Sequence, residues 1–88
     1  MKRIAGVETL CNRVVKFKNK YETHGTYSAM FDGLEFKLYH YGLNILSLNV
    51  ANKCRVIGCT SLSDCNAIST VLEYFNVPYD KSELKYEK

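Results

Sequence analysis

The chain has 88 residues, 47% of them apolar and 24% charged, and a formal net charge of +3 at pH 7. That length supports one hydrophobic core, and no apolar run approaches the ~20 residues a membrane-spanning helix needs. The charge is uneven: Lys2, Arg3, Arg13, Lys16, Lys18 and Lys20 against Glu8 give the first 20 residues +5, which leaves −2 for the remainder.

Near the N-terminus Val7, Leu10, Val14, Phe17 and Tyr21 fall on one helical stripe, with Arg13, Lys16 and Lys20 largely off it. The spacing predicts a helix, although Val14-Val15-Lys16-Phe17-Lys18 also reads as an alternating strand. Asp32-Gly33 predicts a hairpin with a two-residue loop. Closing on it pairs Phe31 with Leu34, Ala29 with Phe36 and Tyr27 with Leu38, and turns Ser28, Met30, Glu35 and Lys37 to the other face.

For the next reversal a two-residue loop would set Leu46 and Leu48 opposite Tyr39 and Lys37. A three-residue loop, Gly42-Leu43-Asn44 with Asn44 left-handed, instead pairs His40 with Leu46, Leu38 with Leu48 and Phe36 with Val50. A turn at Ala51-Asn52-Lys53 leads into a strand over residues 54–59, whose register the pattern leaves open. Ser61 and Asp64 then start a helix with Ile68, Val71, Leu72 and Phe75 on one face. Asn76 suits a left-handed cap, and Pro78 stops the helix near Phe75. Residues 78–88 read as a charged, apolar-poor tail, mobile or a frayed helix, after a single domain over 1–77. The expected fold is α+β: a four-stranded antiparallel meander with an N-terminal and a C-terminal helix (α-β-β-β-β-α) packed on one face.

Cys11, Cys54, Cys59 and Cys65 contain no Cys-x-x-Cys pair, and their spacing fits no common zinc pattern. With no signal peptide recognised, a reduced cytoplasmic setting is expected, with the cysteines as small buried residues; a disulfide and a metal site are the alternatives. Catalysis finds few candidates. His40 falls on the inward face as a structural histidine and His24 in a loop, while Asp32 and Asp64 serve a turn and a helix start. The five glycines form no phosphate-cradling loop. No enzyme, cofactor or metal is expected, and a small enzyme or metal protein built on His40 and the cysteines ranks last.

Two surfaces remain. The outward sheet face carries Met30, Lys37, Tyr39, Tyr41, Ile45 and Ser47, where exposed aromatic groups make effective contacts. The first helix offers Arg13, Lys16, Lys18 and Lys20 to phosphate or to an acidic protein surface.

The segment Phe36-Lys37-Leu38-Tyr39-His40-Tyr41-Gly42-Leu43-Asn44-Ile45-Leu46, followed by Ser61-Leu62-Ser63-Asp64-Cys65-Asn66-Ala67-Ile68, resembles small uncharacterised proteins of bacteriophages and other mobile elements. The likeness covers about half of the chain. Some phage proteins of this size inhibit host defence, anti-CRISPR proteins among them, by occupying a surface of a nuclease complex. The resemblance implies a non-catalytic protein that binds a host protein, a CRISPR effector being one such target. A small nucleic-acid-binding protein using the basic helix is the alternative, and a homodimer is compatible with either.

Overall fold

The computed structural model describes residues 2–86. Two helices, α1 (Ala5–Val15) and α2 (Leu62–Tyr74), accompany five strands: β1 (Tyr21–His24), β2 (Tyr27–Phe31), β3 (Glu35–His40), β4 (Leu43–Asn49) and β5 (Arg55–Ile57). The strands form one antiparallel meander in the order β1-β2-β3-β4-β5. The protein is thus α+β, as expected, but with five strands rather than four.

The additional strand comes from the segment read as the end of the first helix. Helix α1 stops at Val15, where Phe17 N–H turns back to Asn12 O and Lys18 takes a left-handed φ of 56°. Two β-branched residues close the helix, and Tyr21-Glu22-Thr23-His24 then pairs with β2 across a Gly25-Thr26 turn. Phe17 and Tyr21 therefore leave the core stripe, at 71% and 53% exposed, while Val7, Leu10 and Val14 stay buried in it. His24 leaves the loop assigned to it and lies on β1, so close to Gly6 that a β-carbon there would stand 2.7 Å from its Nδ1.

The first central hairpin keeps the expected faces with its register shifted by two residues; the second is shifted by two at Phe36 and Leu38 and by three at His40, and it turns Ile45 inward. At the first, Asp32 Oδ1 accepts from the amides of Leu34 (2.9 Å) and Glu35 (2.7 Å), while Gly33 takes φ 96°. This side-chain-closed turn uses the amides that a two-residue loop would have left to strand pairing. Phe31 consequently faces Phe36, Ala29 faces Leu38 and Tyr27 faces His40. The shift gathers Phe31, Phe36 and Phe75, with ring centroids 5.3–6.3 Å apart.

At the second, the loop is neither the three-residue one expected nor the two-residue one weighed against it but Tyr41-Gly42, one residue earlier, with φ of 51° and 80° as a type I′ turn requires. Asn44 does not take the left-handed role. A β-bulge restores the inward parity: Tyr39 pairs with Asn44 and Leu38 with Leu46, so Ile45 is the extra residue. Asn44 Nδ2 donates to Leu46 O (3.2 Å) across the irregularity, and Ser47 Oγ donates to Asn44 Oδ1 (3.2 Å). Ile45, assigned to the outward face by alternation, is buried together with Leu46 and Leu48.

The core lies between the sheet and the two helices and contains Val7, Leu10, Val14, Phe36, Leu38, Leu46, Leu48, Ile68 and Leu72. Helix α2 starts as expected: Asp64 N–H donates to Ser61 Oγ (3.2 Å). It ends at Tyr74, with Asn76 left-handed at φ 55° ahead of Pro78. In the charged segment that follows, Lys81–Glu83 forms a 3₁₀ turn closed by a reciprocal Asp80/Glu83 cap, and Leu84 is buried. Arg55 clamps this segment by donating to both Glu83 oxygens at 2.8 Å, and Cys65 Sγ donates to Leu84 O (3.2 Å). Residues 87–88 of the expected tail lie outside the described residues.

Leu48 is fully buried on β4, opposite Phe36. Leu48→Ala should therefore cost about 2–5 kcal/mol by leaving a core cavity, measured by urea denaturation.

Candidate partner-binding surface

Both helices cover the same face of the sheet, the one on which β2, β3 and β4 present Ala29, Phe36, Leu38, Leu46 and Leu48. The opposite face is open to solvent. Strand pairing aligns Tyr21, Met30, Lys37, Ser47 and Val56 in one row across all five strands. Met30 is 42% and Val56 72% exposed, and the Tyr39 hydroxyl donates to Met30 Sδ at 3.7 Å. Lys37 lies 3.5 Å from Glu35 on the same strand. The surface is a rigid floor of aromatic, thioether and β-branched groups with a small, balanced charge component.

The basic residues do not form the helical face expected of them. Arg13 is in the last turn of α1, 3.8 Å from Glu22, and Lys16 caps the helix. Lys18 and Lys20 lie past its end, in the connection to β1. The early termination instead brings Lys18 and Lys20 toward Lys37 and Met30, around a groove of about 780 Å³ floored by Val14, Val15 and Phe31. Asp32 and Glu35 also line it, and amide donation by Glu35 and Leu34 holds the Asp32 carboxyl below its ordinary range. Tyr39 adjoins this region; Tyr41 does not, since it forms the turn at the opposite end of β3.

Alternation from β2 to β3 identified Met30, Lys37 and Tyr39. It missed Tyr21, assigned to a helix, and Val56, whose register the sequence left open. A signal for Tyr21 existed in the Gly25-Thr26 turn with an alternating segment on either side.

Tyr41 takes part in a second cluster. The His40 ring lies between Tyr27, stacked at 4.1 Å, and Tyr41 at 4.5 Å. His40 Nδ1 is 2.6 Å from Asp64 Oδ1, and Nε2 is 3.0 Å from the Thr26 hydroxyl. Asp64 is buried, and its other oxygen accepts from the amide (3.0 Å) and the hydroxyl of Thr60. Burial raises the Asp64 carboxyl, but the bonds from Thr60 and His40 outweigh that, so its pKa lies below the ordinary value. An ionised carboxylate only accepts, so Nδ1 carries the proton.

This Asp–His–Thr order invites comparison with a nucleophile relay. The surroundings favour a structural clamp: aromatic rings cover both faces of the imidazole, and the three partners tie the β1–β2 turn, the end of β3 and the start of α2 together. Cys11 and Cys59 are poor nucleophiles as well. Burial pushes the Cys11 thiol up to about 12, and burial with the neighbouring Cys65 does the same to Cys59. All four cysteines are free thiols, Cys11 and Cys65 buried and Cys54 exposed. Among the described residues, no three His, Cys, Asp or Glu side chains group as metal ligands, and no helix is long and apolar enough to cross a membrane.

Comparison with protein-family models, with curated proteins and with solved structures returned no match.

Asp64→Asn leaves an amide N–H₂ facing donors and should cost about 1–3 kcal/mol near neutral pH by urea denaturation. Because the folded carboxyl titrates below its ordinary value of 3.8, its contribution is complete above that pH and disappears as pH falls through the lower folded value. The gap between wild type and Asp64→Asn should accordingly narrow in acid. Tyr41→Ala removes one exposed stacking partner and should lower stability by no more than about 1 kcal/mol, read from the same melts.

Proposed function

We propose that the protein is a non-catalytic binding module that covers a surface of a protein partner with the uncovered face of its sheet. The observation that carries this reading is the row Tyr21–Met30–Lys37–Ser47–Val56, which crosses every strand at one level and is left open by both helices. A rigid sheet presents such side chains at low entropic cost, and aromatic and thioether groups bury large area per contact. With the sequence resemblance to mobile-element proteins, the partner is a bacterial host protein, and a CRISPR effector is the target to test first.

Binding to nucleic acid is the second reading, and the convergence of Lys18, Lys20 and Lys37 beside Tyr39 favours it. It is the weaker one, because Asp32 and Glu35 line the same groove and Glu22 neutralises Arg13. Oligonucleotide affinity that falls steeply as salt rises would reverse this order.

Tagged protein should capture a partner from bacterial lysate and protect phage from CRISPR interference in plaque assays. Val56→Asp and Tyr21→Asp, both at exposed positions, should leave the fold intact by circular dichroism and reduce capture by about tenfold or more. Capture indifferent to both substitutions refutes the reading, as does an empty capture with no phage protection. A homodimer that Val56→Asp dissociates in sedimentation would assign the face to a second copy instead.

A further inference from the structure

We propose that the groove beside the open sheet face receives an acidic segment of the protein partner, anchored by one large apolar side chain. This rests on the sheet face as the docking platform and specifies what its neighbouring groove accepts. The groove opens between the end of α1 and the β2–β3 turn, with about 780 Å³ of space. Its floor is apolar, from Val14, Val15 and Phe31, and its rim is cationic, from Lys18, Lys20 and Lys37. Lys37 belongs to both surfaces, so a partner lying on the sheet reaches the groove without a gap.

Charge decides the class of occupant. Asp32 and Glu35 line the groove too: Glu35 faces Lys37 at 3.5 Å, and Asp32 keeps its charge with Oδ1 turned onto two backbone amides, so Lys18 and Lys20 leave the rim with a cationic excess. Among the described residues, no carboxylate comes within ion-pair distance of Lys18 or Lys20. Two exposed, unneutralised ammonium groups therefore stand over an apolar floor. A peptide with Asp or Glu beside Phe, Trp or Leu satisfies both, setting carboxylates on the rim and the apolar group below. A basic peptide is repelled. A phosphate backbone would leave the apolar floor uncovered.

Selection of a random-peptide library on the full folded chain, with Lys18→Glu/Lys20→Glu as counter-target, tests the proposal. Enriched sequences should combine acidic residues with an aromatic or leucine. A labelled copy of the most enriched peptide should bind wild type about tenfold or more tightly than the double variant by fluorescence anisotropy, and weaken as salt rises. Lys18→Ala/Lys20→Ala, expected to weaken binding in the same direction, replaces the charge reversal should that variant misfold. Enrichment of peptides without acids, equal enrichment on the double variant, or no enrichment overturns the proposal. The platform fails separately: capture lost with Val56→Asp but kept with Lys18→Glu/Lys20→Glu retains the sheet face and removes the groove, and capture indifferent to Val56→Asp removes the platform.

Discussion

Side chains alternate along a strand, so the single extra residue Ile45 in β4 determines which side of this sheet is wet. The type I′ turn at Tyr41-Gly42 pairs His40 with Leu43, and a regular ladder from that pairing would carry Leu46 and Leu48 to the solvent face. The bulge reverses the parity before Leu46. From there Leu46 and Leu48 lie under the helices, Ser47 turns outward, and β5 inherits a register that packs half-buried Ile57 against the core and exposes Val56. The open face depends on that irregularity as much as the core does. Asn44 spans it by donating to the Leu46 carbonyl, which compensates a break in the ladder.

Asp64 does for the helix layer what the bulge does for the sheet. A buried carboxylate is tolerable only when its oxygens are filled, and here Thr60 fills one and His40 the other. The acid sits in the first turn of α2, where the helix dipole also favours negative charge. The same group thus braces the segment entering the helix and fastens it to the end of β3, and Thr26 extends the connection to the first hairpin. At the other edge Arg55 and Glu83 hold the segment after α2 against β5, and Leu84 adds apolar burial to a core that 88 residues supply only sparingly.

Patterns local to one element were legible in the sequence. Ser61, Asp64, Asn76 and Pro78 mark the second helix through backbone chemistry that needs no tertiary context. The inward and outward sets of β2 and β3 follow from alternation alone. Register was not legible, because it was settled by side chains closing turns: Asp32 lengthens one loop by taking two amides, and a tyrosine accepts positive φ at Tyr41, a place where Asn or Gly is the usual signal. The end of α1 was obscured for another reason. Phe17 and Tyr21 continue its apolar stripe, and only the strand partner at Ala29 and Met30 shows why the chain becomes extended instead. The candidate surface was legible to the same extent: Met30, Lys37 and Tyr39 follow from parity, whereas Tyr21 and Val56 required the strand order. The basic helix face dissolved once Lys18 and Lys20 fell beyond the helix.

The edges of the sheet bear on how a partner can engage it. A chain that joined by strand addition would need a long free edge, and β1 offers four residues and β5 three, with Arg55 of β5 already engaged by Glu83. The broad open face offers more. Its row from Tyr21 to Val56 spans the full width of the meander, and Lys37 paired with Glu35 interrupts the apolar groups before they form one continuous patch. An uninterrupted apolar face would favour indiscriminate association, whereas a paired charge among aromatic and thioether groups is costly to bury against any surface that does not answer it. If this face is the docking surface we propose, that arrangement suits selective contact with one partner, with Lys37, where the sheet meets the groove, as the residue that discriminates.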